Sequence, residues 1–255
     1  MPTPFYHLSV AEDLLKHPAL PVQVSSFLDR HRGAFLLGNT APDVQVVSGQ
    51  PREVTHFFTL PTRKGDPLPW DKFLSKYPGL ASSGRLPPDQ TAFLAGYLCH
   101  LQADWIWVRG IFAPVFGLRS SWDSFPRRLY LHNVLRAYMD QKILEGLVDN
   151  IGVELASAVP EHWLPFVEDN FLRAWRDYLA RQLQPGEKIQ TVEVFATRQG
   201  INPAEYYHLI ASEERMEKEI FAHLSRQKLM DYRLKLIAEN LHMLQTYLEG
   251  RSVHI

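Results

Sequence analysis

The chain has 255 residues, 45% of them hydrophobic and 22% charged, with a formal net charge of -1 at pH 7. That balance supplies a substantial core, and with no basic stripe it gives no nucleic-acid signature. The single cysteine excludes an internal disulfide and leaves the redox compartment open.

In chain order, residues 5–16 and 21–32 read as two short helices separated by the breakers Pro18 and Pro21. The opening MPTPFYHLSVAEDLL lacks the basic region and long apolar run of a signal peptide. No segment has the apolar length to span a bilayer, and the expectation is a cytoplasmic protein. Residues 34–37 continue apolar and stop at Gly38-Asn39, a C-cap signal. A loop is expected over 40–58, a helix over 70–77 and turns over 78–88. Residues 89–112 form the central apolar helix, closed by Pro114, Phe116 and Gly117.

A long amphipathic helix follows over 127–147, then helical material over 153–158 and 160–183. The segment TVEVFAT within 184–200 has strand-like alternation, yet it is too isolated to predict a sheet. Two charged amphipathic helices over 203–224 and 229–248 finish the chain. With no repeats and no interdomain linker, the pattern predicts one all-α multi-helix domain over residues 1–255. Its chemistry-bearing motifs lie in 1–140, and the helices of 150–255 complete the bundle.

Five residues stand out: His7, Asp43, His56, His100 and Asp104. Each sits among apolar neighbours that pull it inside, where an unpaired imidazole or carboxylate is costly. His100 and Asp104 are four apart in AFLAGYLCHLQADWIWV, so both leave the same helix face one turn apart. A His–Asp hydrogen bond is one explanation and metal coordination the other; the latter needs further donors. His7 on the first helix, Asp43 after the turn residues Asn39, Ala41 and Pro42, and His56 in REVTHFF can provide them. Gly96, one turn before His100, lets a backbone or an ion approach that face. Converging nitrogen and carboxylate donors suit zinc or a similar divalent ion, which points to a metal-dependent hydrolase. Cys99 lies about 100° around the helix from His100 and reads as a core thiol, with a thiolate ligand as the minor alternative.

The order and context of these residues resemble the zinc-dependent phospholipase C family, related more distantly to fungal single-strand nucleases. The resemblance runs over roughly the first 140 residues. It rests on His7 in the first helix, FLLGNTAPD ending at Asp43, THFF with His56, and above all GYLCHLQAD with His100 and Asp104. It implies an all-helical fold holding a cluster of divalent ions, usually zinc. Asp43, His56, His100 and Asp104 would hold one ion, and His7 a second, with Asp104 bridging. Asp43 would also orient or deprotonate the attacking water. Secreted members add the amino group and carbonyl of an N-terminal tryptophan. This sequence begins at Met1 with its first tryptophan at Trp70, so one ion is expected to be bound differently, more weakly or not at all. The family's next helix carries a histidine with a glutamate four positions later, where this chain has His132 and Arg136. Asp140, two turns beyond His132, can substitute, making His132 and Asp140 candidate ligands of a third ion; an internally paired or solvated helix face is the equal alternative.

The implied activity is hydrolysis of a phospholipid or related phosphodiester. A nuclease or nucleotide phosphohydrolase on the same metals, and a helical scaffold without activity, are the competing readings. Arg52, four residues before His56, is either a phosphate clamp or solvated. Trp105, Trp107 and Trp122 either line a pocket or, as their spacing favours, pack in the core. His208, His223 and His242 sit on charged helices facing solvent or a bundle seam, and SEERMEKEIF is a solvated face. Oligomeric state is not legible.

Overall fold

The computed structural model of the chain describes residues 1–147 and 150–250, and every α-helix, 3₁₀ and π segment among them is accounted for without a strand. Residues 251–255, the end of the region expected to complete the bundle, lie outside the described residues. The α-helices are α1 (Pro4–Leu15), α2 (Val22–Arg30), α3 (Arg32–Gly38), α4 (Gln45–Ser48), α5 (Arg52–His56), α6 (Pro69–Lys76) and α7 (Pro88–Trp107). After them come α8 (Phe125–Leu144), α9 (Ile151–Ala156), α10 (Asp169–Gln182), α11 (Thr191–Gln199), α12 (Pro203–Ile210), α13 (Glu213–Met216) and α14 (Arg226–Leu248). The all-α expectation holds.

Local chemistry sets the helix starts. Prolines open the first turns of α1, α6, α7, α8 and α12, where their missing N–H costs nothing. The side chains of Thr3, Ser124, Asn202, Ser212 and Ser225 cap α1, α8, α12, α13 and α14, each worth about 1 kcal/mol.

Tertiary burial sets the centre. Every residue of α7 from Thr91 to Trp105 is buried, as expected for a helix that is apolar on all sides. It packs against α1, α3, α6 and α14, and the buried apolar residues from Phe5 to Tyr247 form one contiguous cluster. α3 and α7 approach very closely because each contributes a glycine. A Cβ on Gly38 would lie 1.9 Å from the Phe93 carbonyl oxygen, and one on Gly96 2.3 Å from that of Phe35. Gly96 therefore admits a neighbouring backbone.

Three local expectations are corrected. The 40–58 loop is mostly helical: a 3₁₀ turn at Ala41–Val44, then α4 and α5, each too short to show periodicity. The chain does not stop after α7 but widens into a π-helical segment, Val108–Phe116, around Pro114. TVEVFAT lies in α11, which buries Thr191, Val192, Phe195 and Ala196, a spacing that helix geometry satisfies equally well. No helix of the described residues is long and apolar enough to cross a membrane.

Candidate metal centre

α1, the Ala41–Val44 turn, α5 and α7 bring His7, Asp43, His56, His100 and Asp104 to one place. Asp104 sits at the middle. Its Oδ1 is 3.5 Å from His7 Nε2, and its Oδ2 is 3.3 Å from His56 Nε2 and 3.8 Å from His100 Nε2. Asp43 Oδ1 lies 3.4 Å from His56 Nε2, and the His7 and His100 rings stack at 3.8 Å. The Asp104 side chain and the three imidazoles are essentially fully buried, whereas Asp43 keeps 19% of its side chain exposed.

The fold fixes each imidazole through the nitrogen that points away from the cluster. His100 Nδ1 is 2.8 Å from the Asn39 carbonyl, a contact that exists because α3 ends against Gly96. His56 Nδ1 is 3.2 Å from the Arg52 carbonyl one turn earlier. A carbonyl only accepts, so both Nδ1 atoms carry a proton; neutral His100 then presents its Nε2 lone pair, and His56 presents one when its Nε2 gives up its proton to an incoming cation. The two Nε2 atoms face each other at 3.4 Å. The surrounding backbone is tied as well. Thr55 Oγ1 donates to the Pro42 carbonyl at 2.7 Å, Tyr97 from α7 donates to the Thr55 carbonyl at 2.5 Å, and Trp175 from α10 donates to that of Thr40 at 2.9 Å. Directly after His56, Phe57 takes a left-handed φ of 61°. The turn carries its ring onto Phe73 and Phe166, packing that offsets a backbone cost of about 1–2 kcal/mol.

Burial pushes both carboxyls up, but the histidines outweigh it. A hydrogen bond from His56 and the charges of His100 and His56 hold Asp43 below its ordinary range, and His100, His56 and His7 hold Asp104 well below. Burial, and then neighbouring His7, lowers His100 to about 3. At neutral pH the cluster therefore pairs ionised carboxylates with a neutral His100. Arg52 Nη2 offsets part of the negative charge at 2.7 Å from Asp104 Oδ2. His7 Nε2 and Asp104 Oδ1 are buried with no hydrogen-bond partner.

Two overlapping donor sets result: His7, His100 and Asp104, and Asp43, His56 and His100, each with its ligand atoms within 4.8 Å of one another. Converging Nε2 atoms, ionised carboxylates and the orphaned His7 Nε2 and Asp104 Oδ1 could hold a cation, and the nitrogen and oxygen set fits zinc.

Residues 6–107, which contain all five of these side chains, match the family model of zinc dependent phospholipase C. Over that segment the chain is similar to the zinc dependent phospholipase C family. No curated protein and no solved structure matches the chain.

Beyond the matched segment, α8 departs from what the zinc phospholipase C resemblance suggested. His132 is buried among Phe112 and Phe116, and its Nε2 accepts from Trp107 Nε1 at 2.9 Å; burial and the Arg136 charge hold it well below its ordinary pKa. Asp140 accepts from Thr3 and from Thr191, the latter at 2.6 Å, and burial lifts it to about 7. Neither joins a group of metal-capable donors among the described residues; Asp140 is paired on both oxygens, whereas His132 Nδ1 is buried without a hydrogen-bond partner.

Arg52 is not simply solvated: it pairs with Asp104 and lies over the Phe58 ring. Burial pushes the Cys99 thiol up, which leaves it a core residue. Trp107 is core, Trp105 packs edge-on to Phe58, and Trp122 stacks on exposed His223. His208 and His242 are exposed. The supporting groups Asn39, Thr40 and Thr55 carried no sequence signal, since they act through main-chain carbonyls, those of Thr40 and Thr55 accepting from the side chains of Trp175 and Tyr97. Arg136 was visible only as a missing acid. It bonds the Met1 carbonyl at 2.9 Å and Asn133, and covers the Phe195 ring.

Proposed function

We propose that this chain is a zinc-dependent phosphodiester hydrolase of the phospholipase C type, with His7, Asp43, His56, His100 and Asp104 as the metal ligands. The observation that carries the reading is the pair of buried Nε2 atoms of His56 and His100 converging on two ionised carboxylates. Bound zinc would polarise the phosphoryl oxygens and lower the pKa of an attacking water from about 15.7 toward about 7. Asp104 presents one oxygen toward His7 and the other toward His56 and His100, so it would hold metal together with the histidines on both sides. No third ion is proposed at His132 and Asp140.

Asp43 is the one member of the cluster that reaches solvent. It lines a cleft of about 220 Å³ together with Arg52, Arg136, Trp175, Phe195 and Arg198. Its carboxylate, held ionised by His56, can accept a proton from the water and orient that water toward phosphorus. The substrate class implied by the family is a phospholipid phosphodiester.

Elemental analysis of the purified chain, then hydrolysis of bis(p-nitrophenyl) phosphate with and without chelator, tests the proposal. The expected result is stoichiometric zinc and turnover lost on chelation and restored by zinc. Zinc near zero, or turnover indifferent to chelation, overturns it.

A further inference from the structure

The charged groups around the cleft are not those a cationic headgroup needs. Asp43 is the one carboxylate among the described residues lining it, and it faces the metal centre. Three guanidiniums, Arg52, Arg136 and Arg198, share the same walls. They have unused capacity. Arg136 spends its Nη atoms on neutral oxygens, of Met1 and Asn133, and its buried Nε has no partner. Arg52 pairs with Asp104 through one Nη while its buried Nε is unpartnered too. Arg198, exposed on α11, makes no hydrogen bond or ion pair with the described residues, yet it lies near enough for its charge to work against that of Arg136.

A buried cation without a carboxylate partner is costly. Here the cost is offset if an anion arrives with the ligand, because a guanidinium offers forked donors that match phosphate oxygens. Zinc at the neighbouring cluster would add positive charge, so neutrality calls for more than the single charge of a plain phosphodiester.

Resting on the hydrolase reading above, we infer that the substrate carries a second anionic group, a phosphomonoester or its equivalent, seated between Arg136 and Arg198 beside the scissile diester. The cleft thus selects against zwitterionic choline or ethanolamine headgroups, whose cation would meet guanidinium instead of carboxylate.

Calorimetric titration of the zinc-loaded full chain with phosphocholine, inositol 1,4-bisphosphate and thymidine 3′,5′-bisphosphate tests this. One bisphosphate should bind about ten-fold or more tightly than phosphocholine. A stronger inositol compound identifies a lipid headgroup as the source, and a stronger thymidine compound a nucleotide. Arg198→Gln, at an exposed side chain, should cut the advantage by about three-fold or more, and Arg136→Gln should remove most of it where a melting curve shows the fold intact. Equal or tighter phosphocholine binding, or an unchanged ratio in Arg198→Gln, overturns the inference. The corresponding diesters separate the two readings: selective binding without zinc-dependent turnover sinks the hydrolase and spares the anion site, and turnover without selectivity does the reverse.

Discussion

His56 Nε2 and His100 Nε2 face each other at 3.4 Å, while both rings are committed through Nδ1 to main-chain carbonyls. Two lone pairs held this close in a buried space repel unless a proton or a cation lies between them, and a preformed cage of this kind binds the folded state alone. Zinc at a hundred times its dissociation constant should therefore stabilise the chain by about 2.7 kcal/mol, or about 5–10 °C in Tm for this size. Scanning calorimetry with zinc and with chelator reads the shift. His100→Ala should lose it, and an equal shift in that variant would place the ion elsewhere.

Asp43 and Asp104 differ in exposure, and their amide variants should part accordingly. Asp104 reaches three histidines, so Asp104→Asn should release most of the zinc. Asp43→Asn leaves four of the five ligands and should keep at least one ion, while kcat falls about 100-fold or more through loss of the base. Zinc per chain and kcat, measured together, separate the two; Asp43→Asn with full kcat would remove Asp43 from the mechanism.

Gly96 couples packing to the site. A Cβ there would meet backbone, Phe35 O at 2.3 Å and Asn39 N at 2.8 Å, and backbone cannot swing aside as a side chain does. Gly96→Ala should cost about 2–3 kcal/mol of stability. It should also weaken zinc binding about ten-fold or more, since moving α3 withdraws the Asn39 carbonyl that sets the His100 tautomer. Urea titration and zinc competition check both. Loss of stability with unchanged zinc affinity would uncouple them.

The sequence was most informative where side chains carry the chemistry. His100 and Asp104 were legible because 3.6-residue spacing puts two costly groups on one face of a helix that has no polar face. His7, Asp43 and His56 followed as polar residues in apolar surroundings, and Gly96 as a missing side chain on the same face. Asn39, Thr40 and Thr55 were not legible, because they contribute carbonyls and any residue type has one. The helical turns between Thr40 and His56 were hidden by their length, four or five residues each and so little more than one turn. α8 is a different case: His132 and Asp140 share a face, and the sequence does not show that Trp107 bonds Nε2 of the first and Thr3 and Thr191 the second, because those partners come from distant segments.

Asp140 makes a pH test independent of the metal. Burial raises its pKa to about 7, whereas in the unfolded chain it loses its proton near pH 4. Between these values the folded state holds a proton that the unfolded state has released, so this group's contribution to stability falls as pH rises from 4 to 7. Above pH 7 the deficit is complete, on the order of 2–4 kcal/mol for a group so fully buried. Asp140→Asn removes the titration and keeps an oxygen and a donor for Thr3 and Thr191. The variant should therefore melt above the parent at pH 8, with the gap closing toward pH 4. Melting curves at pH 4, 6 and 8 in the presence of chelator check this; a variant less stable than the parent at pH 8 would mean the carboxylate, held by Thr3, Thr191 and the nearby Arg136 charge, is worth more ionised than burial costs it.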